Sequence, residues 1–438
     1  SRLVGDVPAM PPAVARAARA AAAWAGLLAI APGASAGCAG GSAVGLRLNH
    51  AQVLATHNSY HVAPAGSVVA LWNYTHPSLD TQLDRGVRSF ELDVFYDADA
   101  DTLRVMHVPG SDEVSNCATL LDCLQLASGW SSENPAHFPL HFYIEVMGGV
   151  EMSDASECAY SDAEPAAPCI EEQCVGSVAS QCAGAVQSGC VPELLAVVAG
   201  NAQCQSLLAC LVEEVSAYSP EHVVTSEDVE DVLTACVSEP TNVAVTLDSA
   251  GQSDALAAVR AALDAAFPAA SRVAPGDVQL LEGVHVWPEV GSSRGKAMVY
   301  VQTPSSWGDR GDSAGYYFGD GGAMAVANDP SSLPGVAGGS WVRTRVDEEL
   351  QFDAARQAQA LAGGAQVLST DFPPGVGPSA WAGLEAALGS GVFWIPGGAP
   401  VGCNPMTVPD GVECTAALLE DLAAGCGGAG TTPAWAPP

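Results

Sequence analysis

Four short stretches of the sequence carry side chains that could do chemistry together. Thr56-His57-Asn58-Ser59-Tyr60 closes one β-rich run, Glu91-Leu92-Asp93 lies inside a second, His107 ends a third and Glu145 lies inside a fourth. Residues two apart on a strand face the same side, so Glu91 and Asp93 present two carboxylates together. Within the apolar run 89–95 a lone carboxylate pair would be costly to bury, and a partner is called for. Asn58 and Glu145 complete an all-oxygen set, which suits a hard divalent cation. Ca2+, with about six to eight oxygen ligands at roughly 2.3–2.6 Å, fits it better than zinc. Two histidines beside such an ion supply what a phosphodiester reaction needs: one base for a hydroxyl nucleophile and one acid for the departing alkoxide.

For these groups to meet, the elements that carry them must converge. Short β-rich runs alternate with helical ones, the pattern of a parallel sheet with crossover helices. The expected strands are 51–56, 89–95, 103–108, 140–146, 296–302, 323–327, 341–346 and 366–370, with helices over 119–128 and 347–361, among others. Eight such strands close most economically as an α/β fold of the (β/α)8, TIM-type barrel class, whose catalytic groups sit at the C-terminal strand ends. The expected organisation is a signal peptide or leader at 1–36, the first half of the barrel at 37–148, a cysteine-rich, mostly helical insertion at 149–240, the second half at 241–400, and a Cys/Pro/Gly-rich tail at 401–438. Eight of the fourteen cysteines fall between Cys158 and Cys236. They allow 105 pairings, and the sequence does not choose among them.

Composition narrows the setting. The 438 residues carry 15 basic and 49 acidic side chains, a formal net charge of −34. Nucleic acid is held mainly by Lys and Arg on phosphates, so a surface this acidic excludes a simple nucleic-acid binder. Hydrophobic residues at 48% suffice for a large core. Fourteen cysteines without a zinc-type CxxC pair point to an oxidising, extracytoplasmic location, secreted or in the cell envelope. Arg16 and Arg19, the small apolar run 20–31 and Ala34-Ser35-Ala36 fit an export leader. Cys38 leaves two openings: a lipid anchor, or the partner for one of Cys403, Cys414 and Cys426, given that Cys117 and Cys123 make a local pair.

As a set, His57-Asn58, Glu91-Leu92-Asp93, the His107 strand and Glu145 resemble the calcium-dependent phosphatidylinositol-specific phospholipase C family, nearest its secreted, bacterial-type, single-domain branch. Supporting stretches are Thr75-His76-Pro77-Ser78-Leu79-Asp80, Arg85-Gly86-Val87-Arg88-Ser89-Phe90, Arg294-Gly295-Lys296, Val342-Arg343-Thr344-Arg345 and Ser369-Thr370-Asp371-Phe372-Pro373. The likeness runs from about Leu48 to Pro409, interrupted by the cysteine-rich segment. Metal-independent relatives typically carry Asp after the first histidine; Asn58 stands there, which favours the calcium branch.

The resemblance implies His57 against the phosphate as acid or electrophile, His107 as stabiliser of the pentacoordinate transition state and aid to proton transfer, with base and acid unassigned between them, and Asn58, Glu91, Asp93 and Glu145 as Ca2+ ligands. The substrate would be phosphatidylinositol or a related inositol lipid at a membrane surface, cut to diacylglycerol and an inositol cyclic phosphate or its monophosphate. Lys296, the one lysine of the chain, matches a headgroup-contacting lysine. Arg343 and Arg345 either bind phosphate or pair with inward carboxylates; Arg88 either clamps phosphate or makes a structural ion pair; Asp371 orients His57. Two alternatives stand beside this reading: a glycerophosphodiester or sphingomyelin phosphodiesterase on the same barrel, or a catalytically silent lipid- or partner-binding module. The expected protein is a monomer. Because inositol-lipid surfaces are anionic and repel a chain of −34, docking is assigned to apolar rim residues, with Val68, Val69, Leu71 and Trp72 as candidates.

Overall fold

The computed structural model describes residues 45–64, 72, 74–110, 112–152, 184–185, 223–224, 242–307, 316–319, 322–335, 339–348, 350–373 and 393–420. The leader, Cys38, Val68, Val69, Leu71 and nearly all of the cysteine-rich segment lie outside these residues. The strands in chain order are β1 (Ala51–Thr56), β2 (Ser89–Asp97), β3 (Thr102–Val105), β4 (Leu140–Met152), β5 (Gly184–Ala185), β6 (Val223–Val224), β7 (Asn242–Val245), β8 (Gln279–Leu281), β9 (Val284–Val286), β10 (Ala297–Gln302), β11 (Met324–Val326), β12 (Trp341–Arg345), β13 (Val367–Thr370) and β14 (Val401–Cys403). Seven form one parallel path, β10-β4-β2-β1-β13-β12-β11.

The sheet is curled. Alternate residues of its strands fall into two separate clusters, as the period of two requires. Leu54, Phe90, Leu92, Phe142, Ile144, Val299, Val342 and Leu368 form the outer cluster together with residues of the flanking helices. Ala51, Val53, Tyr143, Met298, Tyr300, Met324, Trp341 and Val367 form the inner one. Met298 of one edge strand and Met324 of the other share that inner cluster, which a flat sheet could not allow. At the free edge of β10, Phe318 makes an isolated parallel bridge to Tyr300.

Outside the curl, the helix Leu120–Glu133 is set by its own sequence. Thr119 caps it by accepting from the Asp122 amide at 3.2 Å, and the Asp122 carboxylate reaches back to the Thr119 amide at 3.1 Å. Leu120, Cys123, Leu124, Ala127 and Trp130 recur at three- and four-residue spacing and are buried. The helix Ser249–Ala266 starts on the Asp248 side chain and buries Ala255, Leu256, Val259 and Leu263.

Three sequence expectations change. The run expected at 103–108 is not a barrel strand: β3 pairs antiparallel with β2 and ends at Val105, because only the four residues 98–101 separate them, too few for a parallel crossover. His107 therefore stands in the loop after β3. β4 runs past the expected start of the insertion to Met152, where it pairs with β7. The helix after β12 starts at Ala354, since Asp353 supplies the cap. Of the cysteines, Cys117 bonds Cys123 and Cys403 bonds Cys414.

The N-terminal end of the curl is plugged by the chain's last described segment. β14 lies antiparallel on β1, and Glu420 reaches Arg88 with both oxygens, at 2.8 and 2.6 Å, and accepts from the Phe138 amide at 2.8 Å. Arg88 is fully buried, donates also to the Leu83 and Val87 carbonyls, and lies 4.8 Å over the Trp130 ring. Removing one partner strands the other charge without water. Arg88→Ala is expected to cost about 3–5 kcal/mol, read as a lower urea midpoint.

Buried neutral histidines give the fold a pH dependence of known sign. Burial lowers His137 to about 4, and His76 and His141 to about 3. The unfolded chain takes up protons that the fold refuses, so this stability is complete above about pH 6.5 and is lost as pH falls toward the folded values. Each histidine contributes a slope of about 1.4 kcal/mol per pH unit in that window. Denaturation between pH 6 and 4 should show this loss, and His141→Gln should flatten it by about one such increment.

Candidate active site

The inward positions change character along the curl. Near the N-terminal strand ends they are Ala51, Met298 and Trp341; near the C-terminal ends they are Glu91, Asp93, Glu145, Arg343 and Arg345, with Asp371 just after β13. Register explains the convergence: Glu91 pairs with Tyr143 and Asp93 with Glu145 across β2 and β4. Glu91, Asp93 and Glu145 offer oxygens that all lie within 4.8 Å of one another. Glu91 and Asp93 are each 4% exposed.

Three like charges in so little water repel. Burial and the neighbouring Glu145 and Glu91 push the Asp93 carboxyl well above the carboxylate range, and burial and Glu91 raise Glu145. The protein's own groups offset part of this. Arg343 forms a buried ion pair with Glu91, donates to Asn328 at 2.5 Å and lies 4.7 Å over the Tyr143 ring. The Tyr60 hydroxyl donates to Asp93 Oδ2 at 2.8 Å, and the Tyr143 hydroxyl meets Glu145. Asp93 Oδ1 is buried with no hydrogen-bond partner. An orphaned acceptor inside a carboxylate cluster is what a hard cation would satisfy, so the residues fit Ca2+. Asn58 stands next to the cluster's histidine in a left-handed backbone, φ 44°, which Asn adopts more readily than most residues. Its Nδ2 donates to the Tyr74 hydroxyl at 3.2 Å, leaving the amide oxygen for a ligand.

Each histidine is held at one nitrogen by a buried carboxylate. His57 Nδ1 lies 2.8 Å from Asp371 Oδ1, and Arg345 donates to both Asp371 oxygens at 2.9 and 3.2 Å. Burial alone would raise Asp371, but the His57 imidazole and the Arg345 guanidinium hold it well below the carboxylate range. Arg345 Nη1 also lies 3.3 Å from His57 Nε2. His107 Nδ1 lies 2.8 Å from Asp112 Oδ2. Both histidines are partly exposed, and both carboxylates are shut away from water.

Of the residues singled out from sequence, the structure brings together His57, Asn58, Glu91, Asp93, Glu145, Arg343, Arg345 and Asp371, with His107 on the loop beyond β3. It does not bring Lys296 or Arg88 to them. Lys296 precedes β10, six residues at about 3.3 Å each below Gln302, the register partner of Glu145. Arg88 stands three residues before Glu91 but has the strand parity of Phe90 and Leu92, which lie on the opposite face. Arg88 takes the structural role described above. Sequence reasoning gave Tyr60 no role of its own and missed Tyr143, Asp112 and His61; the spacing of Asp112, five residues beyond His107 across a Pro-Gly turn, was the available signal.

Residues 46–101 and 97–165 match the family model described as "Phosphoinositide phospholipase C, Ca2+-dependent", which takes in β1 to β4 and with them both histidines and all three carboxylates. Over those residues the chain is similar to this family. Solved structures similar to this chain include a calcium-dependent phosphoinositol-specific phospholipase C from a Pseudomonas species, in complex with myoinositol (16% identity, 74% of this chain and 90% of that chain, TM-score 0.36). Another is a Ca2+-dependent phosphatidylinositol-specific phospholipase C from Streptomyces antibioticus (12% identity, 74% and 95%, TM-score 0.33). No curated protein matches.

The carboxylate cluster implies a trade between stability and metal affinity. Asp93→Asn removes one of three repelling charges and keeps an acceptor for Tyr60. In chelator, thermal unfolding is expected to show this variant more stable than wild type by about 1 kcal/mol, while calorimetry shows Ca2+ binding weakened at least ~10-fold.

Proposed function

We propose that this protein is a Ca2+-dependent phospholipase C that cleaves the glycerol–phosphate ester of phosphatidylinositol, releasing diacylglycerol and an inositol cyclic phosphate or its hydrolysed monophosphate. The observation that carries the reading is the meeting, at one end of the curled sheet, of three carboxylates suited to a hard cation with two carboxylate-held histidines. Asn58, Glu91, Asp93 and Glu145 would hold Ca2+. When bound, the ion would lower the pKa of the inositol 2-hydroxyl and neutralise charge developing on the phosphate.

The chain's own residues do the proton work. A guanidinium only donates, so the Arg345 contact makes His57 Nε2 an acceptor, with the Nδ1 proton turned to Asp371. In that state His57 takes the proton of the 2-hydroxyl. Its oxygen attacks phosphorus, the bond from phosphorus to the glycerol oxygen breaks, and His107 gives that oxygen its proton. Because nucleophile and phosphate belong to one headgroup, the attack is intramolecular and effective molarities of about 10⁵ M or more apply. Arg345, beside His57, meets the phosphate charge. Arg343 acts indirectly, by holding Glu91 in the cluster.

The same reading includes closure of the curled sheet as a (β/α)8 barrel, supported by the Phe318 bridge on its free edge, with a helical, disulfide-bonded insertion at 149–240. An extracytoplasmic location is supported by the two bridges. No helix among the described residues is long and apolar enough to cross a membrane. Docking on lipid would then use apolar groups at the mouth. Trp72, 6.0 Å edge-on to His107, and the exposed Val114 and Met147 are the described candidates.

Phosphatidylinositol vesicles, with Ca2+ and then with chelator, test the proposal by phosphorus NMR of the soluble products. Cyclic phosphate or monophosphate should appear only with Ca2+, and His57→Ala should lower kcat by about 10²–10⁴. Turnover of glycerophosphodiesters or sphingomyelin instead would favour the second phosphodiesterase reading. Ca2+ binding without turnover of any phosphodiester would favour the binding module.

A further inference from the structure

The loop 107–116 carries an arrangement that the reaction as described above leaves unused. Asp112 is fully buried, and its carboxylate receives two imidazoles at once: His107 through Nδ1 at 2.8 Å, and His61 through Nε2 at 3.0 and 2.9 Å. His61 is itself fully buried. Its Nδ1 lies 3.0 Å from the Tyr74 carbonyl, which can only accept, and its ring stacks on the Tyr74 ring at 4.1 Å between centroids. The His61 ring is thus fixed on three sides, and it fixes the carboxylate in turn. Backbone bonds complete the frame: the His107 amide donates to the Asp112 carbonyl at 3.1 Å and the Asp112 amide to the Val108 carbonyl at 2.8 Å.

We infer that Asp112, held by His61, is the positioning residue for His107: it accepts the Nδ1 proton of the imidazolium and aims the Nε2 proton at the leaving oxygen. Burial works against a charged Asp112, yet hydrogen bonds from His107 and His61 outweigh it and keep the carboxyl below its ordinary value, as an acceptor of both rings requires. This inference rests on the phospholipase reading for the identity of the leaving group. The geometry itself does not: a rigid second histidine–carboxylate unit, separate from His57–Asp371, stands whichever ester is cut. Neither His61 nor Asp112 belongs to the carboxylate cluster; with His107 they form a second, separate group whose ligand-type atoms all lie within 4.8 Å of one another, and the two hydrogen bonds onto Asp112 are what the positioning role rests on.

The test compares phosphatidylinositol, whose alkoxide must be protonated as it leaves, with p-nitrophenyl inositol phosphate, whose phenolate leaves unaided. Asp112→Asn is nearly isosteric and removes the carboxylate. It is expected to lower kcat on the lipid by about 10²-fold or more with KM changed less than about 3-fold, and to lower kcat on the aryl ester less than about 10-fold. Combined with His107→Ala it should add no further loss, because both act through one step. Asp112→Glu should recover part of the lipid rate. Equal losses on the two substrates, or multiplicative losses in the double variant, would overturn the assignment.

Should Asp112→Asn fail to fold by near-UV circular dichroism, His61→Asn removes the outer anchor alone and should give a smaller loss confined to the lipid. No loss on either substrate would then count against it. Long-range proton–nitrogen NMR of the imidazoles needs no turnover: His107 should carry its proton on Nδ1 in wild type and lose that preference in Asp112→Asn. A wild-type protein inert on both esters but with this tautomer signature would sink the phospholipase reading and leave the positioning role standing. An unchanged tautomer would sink the positioning role alone.

Discussion

Everything at the open end of this fold follows from the cost of gathering Glu91, Asp93 and Glu145 out of water. Three carboxylates within 4.8 Å cannot all be charged and unpaired there. The surrounding polar groups read as answers to that cost: Arg343 against Glu91, the Tyr60 hydroxyl on Asp93, the Tyr143 hydroxyl on Glu145. They leave one deficit, at Asp93 Oδ1. A site balanced in full by protein groups would gain little from a cation, and one with no internal compensation would not fold.

The histidines follow a parallel logic. A lone imidazole at a rim can rotate and change tautomer, and a proton donor that moves is a poor one. Here each is pinned at Nδ1 by a carboxylate that water does not reach, from a different part of the chain in each case. Asp371 comes from the end of β13, whereas Asp112 comes from the same loop as His107. The first pair is tied to the sheet and the second to a turn braced by the Cys117–Cys123 bridge close behind it.

What could be read from the sequence was local in nature. The Glu91-x-Asp93 pair declares its shared face through the strand period alone, and strands β1, β2, β4, β10, β11, β12 and β13 announce themselves by composition. Pairings across long separations are silent: Arg343 meets Glu91 across 252 residues and Arg345 meets His57 across 288, so sequence left each arginine suspended between two roles. Arg88 was open between phosphate and an ion pair, and it is paired with Glu420. Lys296 has a type that suits a phosphate, but it precedes its strand, and the direction of a parallel strand decides which end a side chain serves. The run at 103–108 was read by composition when the shortness of its connection to β2 governed instead.

The sheet also has a break with consequences of its own. Between Val94 and Phe95 the register of β2 on β4 shifts, and beyond it both strands run on past the curl, each with an antiparallel companion. Met152 and Asn242, where the chain leaves for the cysteine-rich segment and returns from it, are direct register partners. The ends of that long excursion are joined by strand pairing, so the entropy of closing it falls on the ribbon and grows only slowly with its length. The junction is therefore a socket: what is plugged into it can lengthen, shrink or be exchanged while the carboxylate cluster a few residues below keeps its shape.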